Sequence, residues 1–209
     1  RYLSRGISNS ATNPAAAAYG EVRYKEIFYT NVAYTTNKLP QKPVGEVDIS
    51  VGARPVIGNL TTDIGVMYYW YPDSSINVYG GTAVLPGISL GANLYYGPSF
   101  GNSGAFDVYS SGTVKVTLPY DLAFSAEFGR QFFGTTKASL GSVKLPEYNT
   151  WNAGFTYTYK NASLDLRYSG TDLSKSECAT LTSDPKSLTT TPGRSKWCGN
   201  TFLATLAVD

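Results

Sequence analysis

An all-β antiparallel fold is predicted by three features of the 209-residue chain. Apolar and polar residues alternate with period two, the alternating segments recur about every 10 residues, and Gly, Pro, Asn or Asp punctuates the gaps. Helical periodicity is nearly absent. The pattern predicts a single domain over residues 1–209 with about twelve strands, at 1–8, 15–25, 27–34, 46–53, 60–71, 76–84, 88–97, 106–118, 122–132, 151–160, 163–170 and 201–209.

The strand at 1–8 is the least regular, because Leu3 and Ile7 share the parity of Arg5, and the next places Glu21 and Arg23 on one face. In 46–53, Val47, Ile49 and Val51 oppose Glu46 and Asp48; in 60–71, Leu60, Ile64, Val66, Tyr68 and Trp70 oppose Thr61, Asp63 and Gly65. Ile88, Leu90, Leu94 and Tyr96 oppose Ser89, Gly91 and Asn93, and Val108, Val114, Val116 and Leu118 oppose Thr113, Lys115 and Thr117. Leu122, Phe124, Ala126 and Phe128 oppose Ser125, Glu127 and Gln131; Trp151, Phe155, Tyr157 and Tyr159 oppose Asn152, Thr156 and Lys160. Leu164, Leu166 and Tyr168 oppose Asp165 and Arg167, and Phe202, Ala204, Leu206 and Val208 end the series. The charged residues of these eight segments are read as falling on the polar face throughout.

Connections fall into two alternating classes. Those at 25–26, 54–59, 85–87, 119–121 and 160–162 are short, whereas those at 9–14, 35–45, 72–75, 98–105, 133–150 and 171–200 are mostly longer. In a meander, alternate connections lie at the same end, so one rim is tight and the other carries the loop mass, with both termini expected at the tight rim. An even strand count with short turns at one end and long loops at the other is the pattern of a closed transmembrane β-barrel.

A soluble sandwich or small barrel also alternates, but with the apolar face inward. Size and composition separate the readings. About twelve strands enclose more space than side chains readily fill, and the polar face is mostly Ser, Thr, Gly and Asn with isolated charges, which suits a wet lumen better than a soluble surface. Aromatic residues add to this. Trp70, Tyr96, Phe106, Trp151 and Phe202 lie toward the loop-bearing ends of apolar faces, and Tyr24, Tyr157 and Tyr159 toward the tight rim, as interfacial belts would.

Composition excludes several functions. The 17 Lys and Arg against 15 Asp and Glu give +2 with no basic cluster, so nucleic acid is not expected as a partner. The chain has no His, which removes Ser-His-Asp and Cys-His catalysis and His-based zinc sites. No phosphate-cradling glycine motif is present. No enzyme activity, cofactor or metal is expected. No run of about 18 apolar residues offers a membrane-spanning helix.

Several pieces together resemble the TorF porin family of Gram-negative outer membranes. They are Tyr2 followed by Arg5-Gly6-Ile7-Ser8 and Pro14; Glu46-Val47-Asp48 with Gly52; Asp63-Ile64-Gly65-Val66 running into Tyr68-Tyr69-Trp70-Tyr71-Pro72; Trp151-Asn152-Ala153-Gly154; and Leu164-Asp165-Leu166-Arg167-Tyr168 before Thr171-Asp172. The resemblance implies an outer-membrane location and a pore, and supplies no catalytic residues. Two departures are Asn77, where such proteins commonly carry an acid, and the end at Asp209, one short of the next apolar-face position, where such barrels usually place an aromatic. The opening at Arg1 without an apolar leader leads to the expectation that any secretory signal has been removed.

The lumen charges are the candidate functional residues: Arg5, Glu21, Arg23, Glu46, Asp48, Asp63, Lys115, Glu127, Asp165 and Arg167. If the barrel closes, Arg167, Arg5 and Arg23 come together as a cationic wall facing an anionic wall of Glu46, Asp48 and Asp63, a transverse field that orients small polar solutes. Alternatively these groups pair with one another as a structural network. Cys178 and Cys198, the only cysteines, both lie in the 171–200 connection and are read as a disulfide closing an extracellular loop. The function expected is passive diffusion of small hydrophilic solutes or ions through an outer-membrane channel with periplasmic termini. Its partners would be outer-membrane lipids, lipopolysaccharide and small polar solutes, with a homo-oligomer or another envelope protein as further candidates. The alternative is a structural or interaction protein with a plugged lumen.

Overall fold

The computed structural model describes residues 2–38, 45–58, 60–70, 76–85, 88–182 and 184–208. The elements are β1 Leu3–Ser4, β2 Ile7–Ser8, β3 Ala17–Tyr24, β4 Phe28–Thr36, β5 Gly45–Ala53, β6 Val56–Ile57, β7 Leu60–Trp70, β8 Ile76–Leu85, β9 Ile88–Gly97, β10 Asp107–Leu118, β11 Leu122–Phe133, β12 Tyr148–Tyr159, β13 Ala162–Thr171, α1 Lys175–Thr182 and β14 Thr201–Val208. From β3 to β14 each long strand pairs antiparallel with the next in sequence, and the short β6 attaches to β7. This is the expected antiparallel meander. β3 and β14 end the path, with no ladder joining them among the described residues.

The first expected strand is corrected. Residues 2–8 do not join the large sheet: β1 and β2 form their own two-stranded hairpin, because Arg5 and Gly6 both take positive φ, +48° and +78°, and turn the chain back. The side chains of Trp70 and Asn77, which the sequence marked as an interface residue and a lumen position, lie outside the described residues.

Antiparallel register preserves side-chain parity from strand to strand, so one row runs Ala204–Leu166–Phe155–Phe124–Val116–Ile88 across six strands. This apolar face points outward. Leu166 is 55% exposed, Val22 70% and Leu206 74%, whereas Glu46, Asp107 and Gln131 on the opposite face are 1%, 3% and 1% exposed. Tyr96, Phe106 and Phe202 stand exposed toward the loop end, and Tyr24, Tyr157 and Tyr159 toward the tight end. One charge departs from the expected partition: Arg130 shares the parity of Phe128, on the outer face near the loop end, and lies 3.6 Å from Glu147.

The sheet curls around its polar face. Met67 on β7 and Leu203 on β14 line the same cavity of about 400 Å3, yet seven interstrand steps separate those strands, which would span about 34 Å in a flat sheet. Glycines give room for inward tyrosines. A Cβ on Gly52 would lie 2.6 Å from Tyr29 Oη, and one on Gly129 would collide with the Tyr109 hydroxyl.

At the loop end the usual burial rule returns. Ala105, Phe133, Leu145 and Tyr148 form a dry cluster, with Ile7, Phe100, Leu173 and Leu181 packed against it. The 171–200 connection, expected as a long disulfide-closed loop, contains α1. Its start is a reciprocal cap: the Glu177 amide donates to Ser174 Oγ (3.2 Å) and the Ser174 amide donates to Glu177 Oε2 (2.9 Å). The expected disulfide joins Cys178 on α1 to Cys198.

Candidate functional site on the inner face

Toward the tight end, Glu21 on β3 receives a two-pronged pair from Arg54, Nη1 to Oε1 at 2.7 Å and Nη2 to Oε2 at 2.9 Å. Arg23 Nε donates to the same carboxylate at 2.6 Å. Arg54 Nε also donates to Asp63 Oδ2 at 2.9 Å, the Tyr29 hydroxyl donates to Asp63 Oδ1 at 2.7 Å, and the guanidinium lies 3.9 Å from the Tyr29 ring centroid. Arg54 follows β5 in a turn. The hydrogen bond to Glu21, reinforced by Asp63, pushes its pKa above the ordinary guanidinium range.

In the middle of the face, Arg167 on β13 is bonded on three sides. Nε and Nη2 donate to Asp165 at 3.1 and 2.9 Å, Nη1 to Asn152 Oδ1 at 2.6 Å, and Nη2 to Ser125 Oγ at 2.7 Å. Thr156 Oγ1 donates to Asp165 at 2.8 Å. Glu127 accepts from the Tyr109 hydroxyl at 2.9 Å and from Asn152 Nδ2 at 3.2 Å. The strands therefore carry a cross-strand polar network whose members satisfy one another.

Toward the loop end the β1–β2 hairpin enters the concavity. Arg5 Nη1 donates to Asp107 Oδ2 at 2.7 Å and to Gln131 Oε1 at 2.9 Å, and its guanidinium lies 5.3 Å from the Tyr95 ring centroid and 5.0 Å from that of Tyr109. The Tyr148 hydroxyl donates to the Arg5 carbonyl at 3.1 Å. Tyr2 donates to Glu46 Oε1 at 2.9 Å. Glu46 and Asp48 sit two residues apart on the same face of β5. Lys115 is exposed on the inner parity of β10.

The expected cationic wall is thus corrected. Arg5 pairs with Asp107, Arg23 with Glu21 and Arg167 with Asp165, so each arginine is neutralised by a carboxylate beside it, as the alternative of a structural network expects, while Arg5 and Arg167 line one cavity. The cause is topological: β1 and β2 form a separate hairpin, so Arg5 enters the concavity on an insert and meets Asp107 there, and does not stand on a wall strand.

The sequence reading missed Arg54, Asp107, Gln131 as an anchor, and the inward tyrosines Tyr2, Tyr29 and Tyr109. Asp107 shares parity with Thr113 and Lys115, so its face was legible. Arg54 was hidden in a turn, where period two says nothing. Among the described residues no helix is long and apolar enough to cross a membrane, a statement that does not bear on strands. No curated protein matches the chain. The sequence model of a family described as a bacterial protein of unknown function, Gcw_chp, matches residues 1–192. On that match over most of its length, the chain belongs to the Gcw_chp family.

Proposed function

We propose that this protein is a transmembrane β-barrel of the bacterial outer membrane that lets small hydrophilic solutes or ions pass along its polar interior. The observation that carries this reading is the inverted partition of the sheet: large apolar residues stand exposed on the outer face of β4, β5, β7, β9, β12, β13 and β14, while Asp107, Gln131 and Glu46 are buried on the other side. In water such a continuous apolar surface would be a liability, whereas against hydrocarbon it is the stable arrangement. Strands of 10 to 12 residues, such as β9 to β13, match the length needed for a tilted crossing. The resemblance to the TorF porin family supports the same reading.

Hydrocarbon does not tolerate bare strand edges, so the reading requires the meander to close. β3 and β14 have 8 residues each and both run from the loop end to the tight end. Closure of one edge on the other is therefore a parallel pair in a barrel of eleven long strands, an odd count in place of the twelve that the sequence pattern predicts.

Location is tested by heat-modifiable gel migration of detergent-folded protein, and transport by planar-bilayer recording. Folded protein should migrate faster unheated and give discrete conductance steps. A second reading, a structural or interaction protein with a closed lumen, draws on the hairpin lodged inside; it predicts the same gel shift with no conductance.

A further inference from the structure

The β1–β2 hairpin is held differently from every other strand. It has no ladder to the large sheet; side chains hold its tip and a few bonds hold its base, among them the Ser8 amide donating to the Trp197 carbonyl at 2.9 Å. Yet it occupies the concavity. Leu3, Ser4, Arg5 and Gly6 form one side of the cavity whose other side is the strand wall, from Met67 to Leu203. An insert attached this way can leave without breaking a single sheet hydrogen bond.

The turn aims residue 5 at a specific contact. Both turn positions take positive φ, as at Lys25-Glu26 and Tyr120-Asp121, and turn the chain tightly enough to put Arg5 at the tip. From there its guanidinium meets Asp107, Gln131 and two tyrosine rings. Asp107 is 3% exposed, so the pair is shielded from water, and a buried carboxylate deprived of its partner is strongly disfavoured. A second anchor is apolar: Ile7 packs against the loop-end cluster.

We infer that the Tyr2–Ser10 segment is a gate of the channel, latched by Arg5 to Asp107 and Gln131 and by Ile7 to the loop-end cluster, and that releasing the latch opens the lumen. This rests on the channel reading above. With the hairpin in place, what remains of the polar space is the cavity beside it; with the hairpin withdrawn, the opening is set by the curl of the strand wall.

The test compares four full-length proteins in planar bilayers, each first shown to be folded by heat-modifiable migration: the native chain, Arg5→Met, Arg5→Met with Ile7→Ser, and the charge exchange Arg5→Asp with Asp107→Arg. Asp is well accommodated at a positive-φ turn position, and the Gln131 amide can donate to or accept from either arrangement, so the exchange rebuilds the latch. Open probability or unit conductance should rise several-fold in Arg5→Met, rise further with Ile7→Ser, and return toward the native value in the exchange. Equal, measurable conductance in all four would overturn the gate and leave the channel standing. Silence of all four, in bilayers containing folded protein, would overturn the channel reading and the gate with it.

Discussion

The strand wall and the loop-end cap obey opposite rules within one chain. In the wall, Leu166 and Leu206 stand exposed while Asp107 and Gln131 are buried; in the cap, Ala105 and Phe133 are buried to 0% and 1% exposure and Lys137 and Lys144 lie outside. Burial follows the medium, and the chain's own chemistry is the same in both places. The cap is built like a small water-soluble core, whereas the wall has the partition expected of a surface facing hydrocarbon, the medium proposed for it. The hairpin joins the two regions, since Ile7 belongs to the cap and Arg5 to the wall.

The contrast can be broken from either side. Phe133→Ala empties the centre of the cap and should cost about 3 to 5 kcal/mol, read as a shift in the denaturant midpoint, with the same loss in detergent and in lipid. Leu166→Arg places a charge mid-strand on the outer face. It should cost about 2 to 4 kcal/mol in bilayers and far less in detergent solution, so the ratio of the two losses reports the outer medium. An equal, small effect in both would remove the distinction between wall and cap.

Smaller effects sharpen the boundary. Replacing Cys178 and Cys198 together by Ser should lower stability by about 2 to 3 kcal/mol, with the loop end becoming protease-sensitive first while the strand wall stays resistant. The ion pair at Glu147 is the weakest case. The Lys144 ammonium beside Glu147 holds its carboxyl below its usual range, with Arg130 adding to the effect. A lowered folded-state pKa stabilises above the unfolded value near 4.5 and is lost as pH falls through the lowered one. Glu147→Gln should therefore remove a salt-sensitive contribution below about 0.5 kcal/mol for so exposed a pair, visible at neutral pH and vanishing in acid.

What was legible in the sequence was what has a period. Val66, Leu90 and Leu166 declared the outer face because every second residue repeats the choice, and turns at Lys25-Glu26 and Tyr120-Asp121 fell where the alternation broke. The cap was not legible, since Ala105, Phe133, Leu145 and Tyr148 come from strand ends and loops with no shared period. The hairpin was misread because a positive-φ turn at Arg5-Gly6 leaves no mark in an alternation that was already mixed. Inner-face charges were found individually by parity. Their partners were not, because Arg5 meets Asp107 across 102 residues, and pairing at that distance depends on which strands become neighbours. Ser174 and Glu177 did carry the spacing of a helix cap, a signal present in the sequence and passed over.

The most direct measurement is a spin-label scan along β13 in lipid vesicles, with single added cysteines at residues 164 to 168 and the native disulfide left oxidised. Labels at 164, 166 and 168 should be relaxed by oxygen, which partitions into hydrocarbon, and labels at 165 and 167 by a water-soluble nickel chelate, giving two profiles of period two in opposite phase. Loss of the alternation, or even-numbered labels reached by neither reagent, would place Leu164 and Leu166 in a dry protein interior and contradict the account.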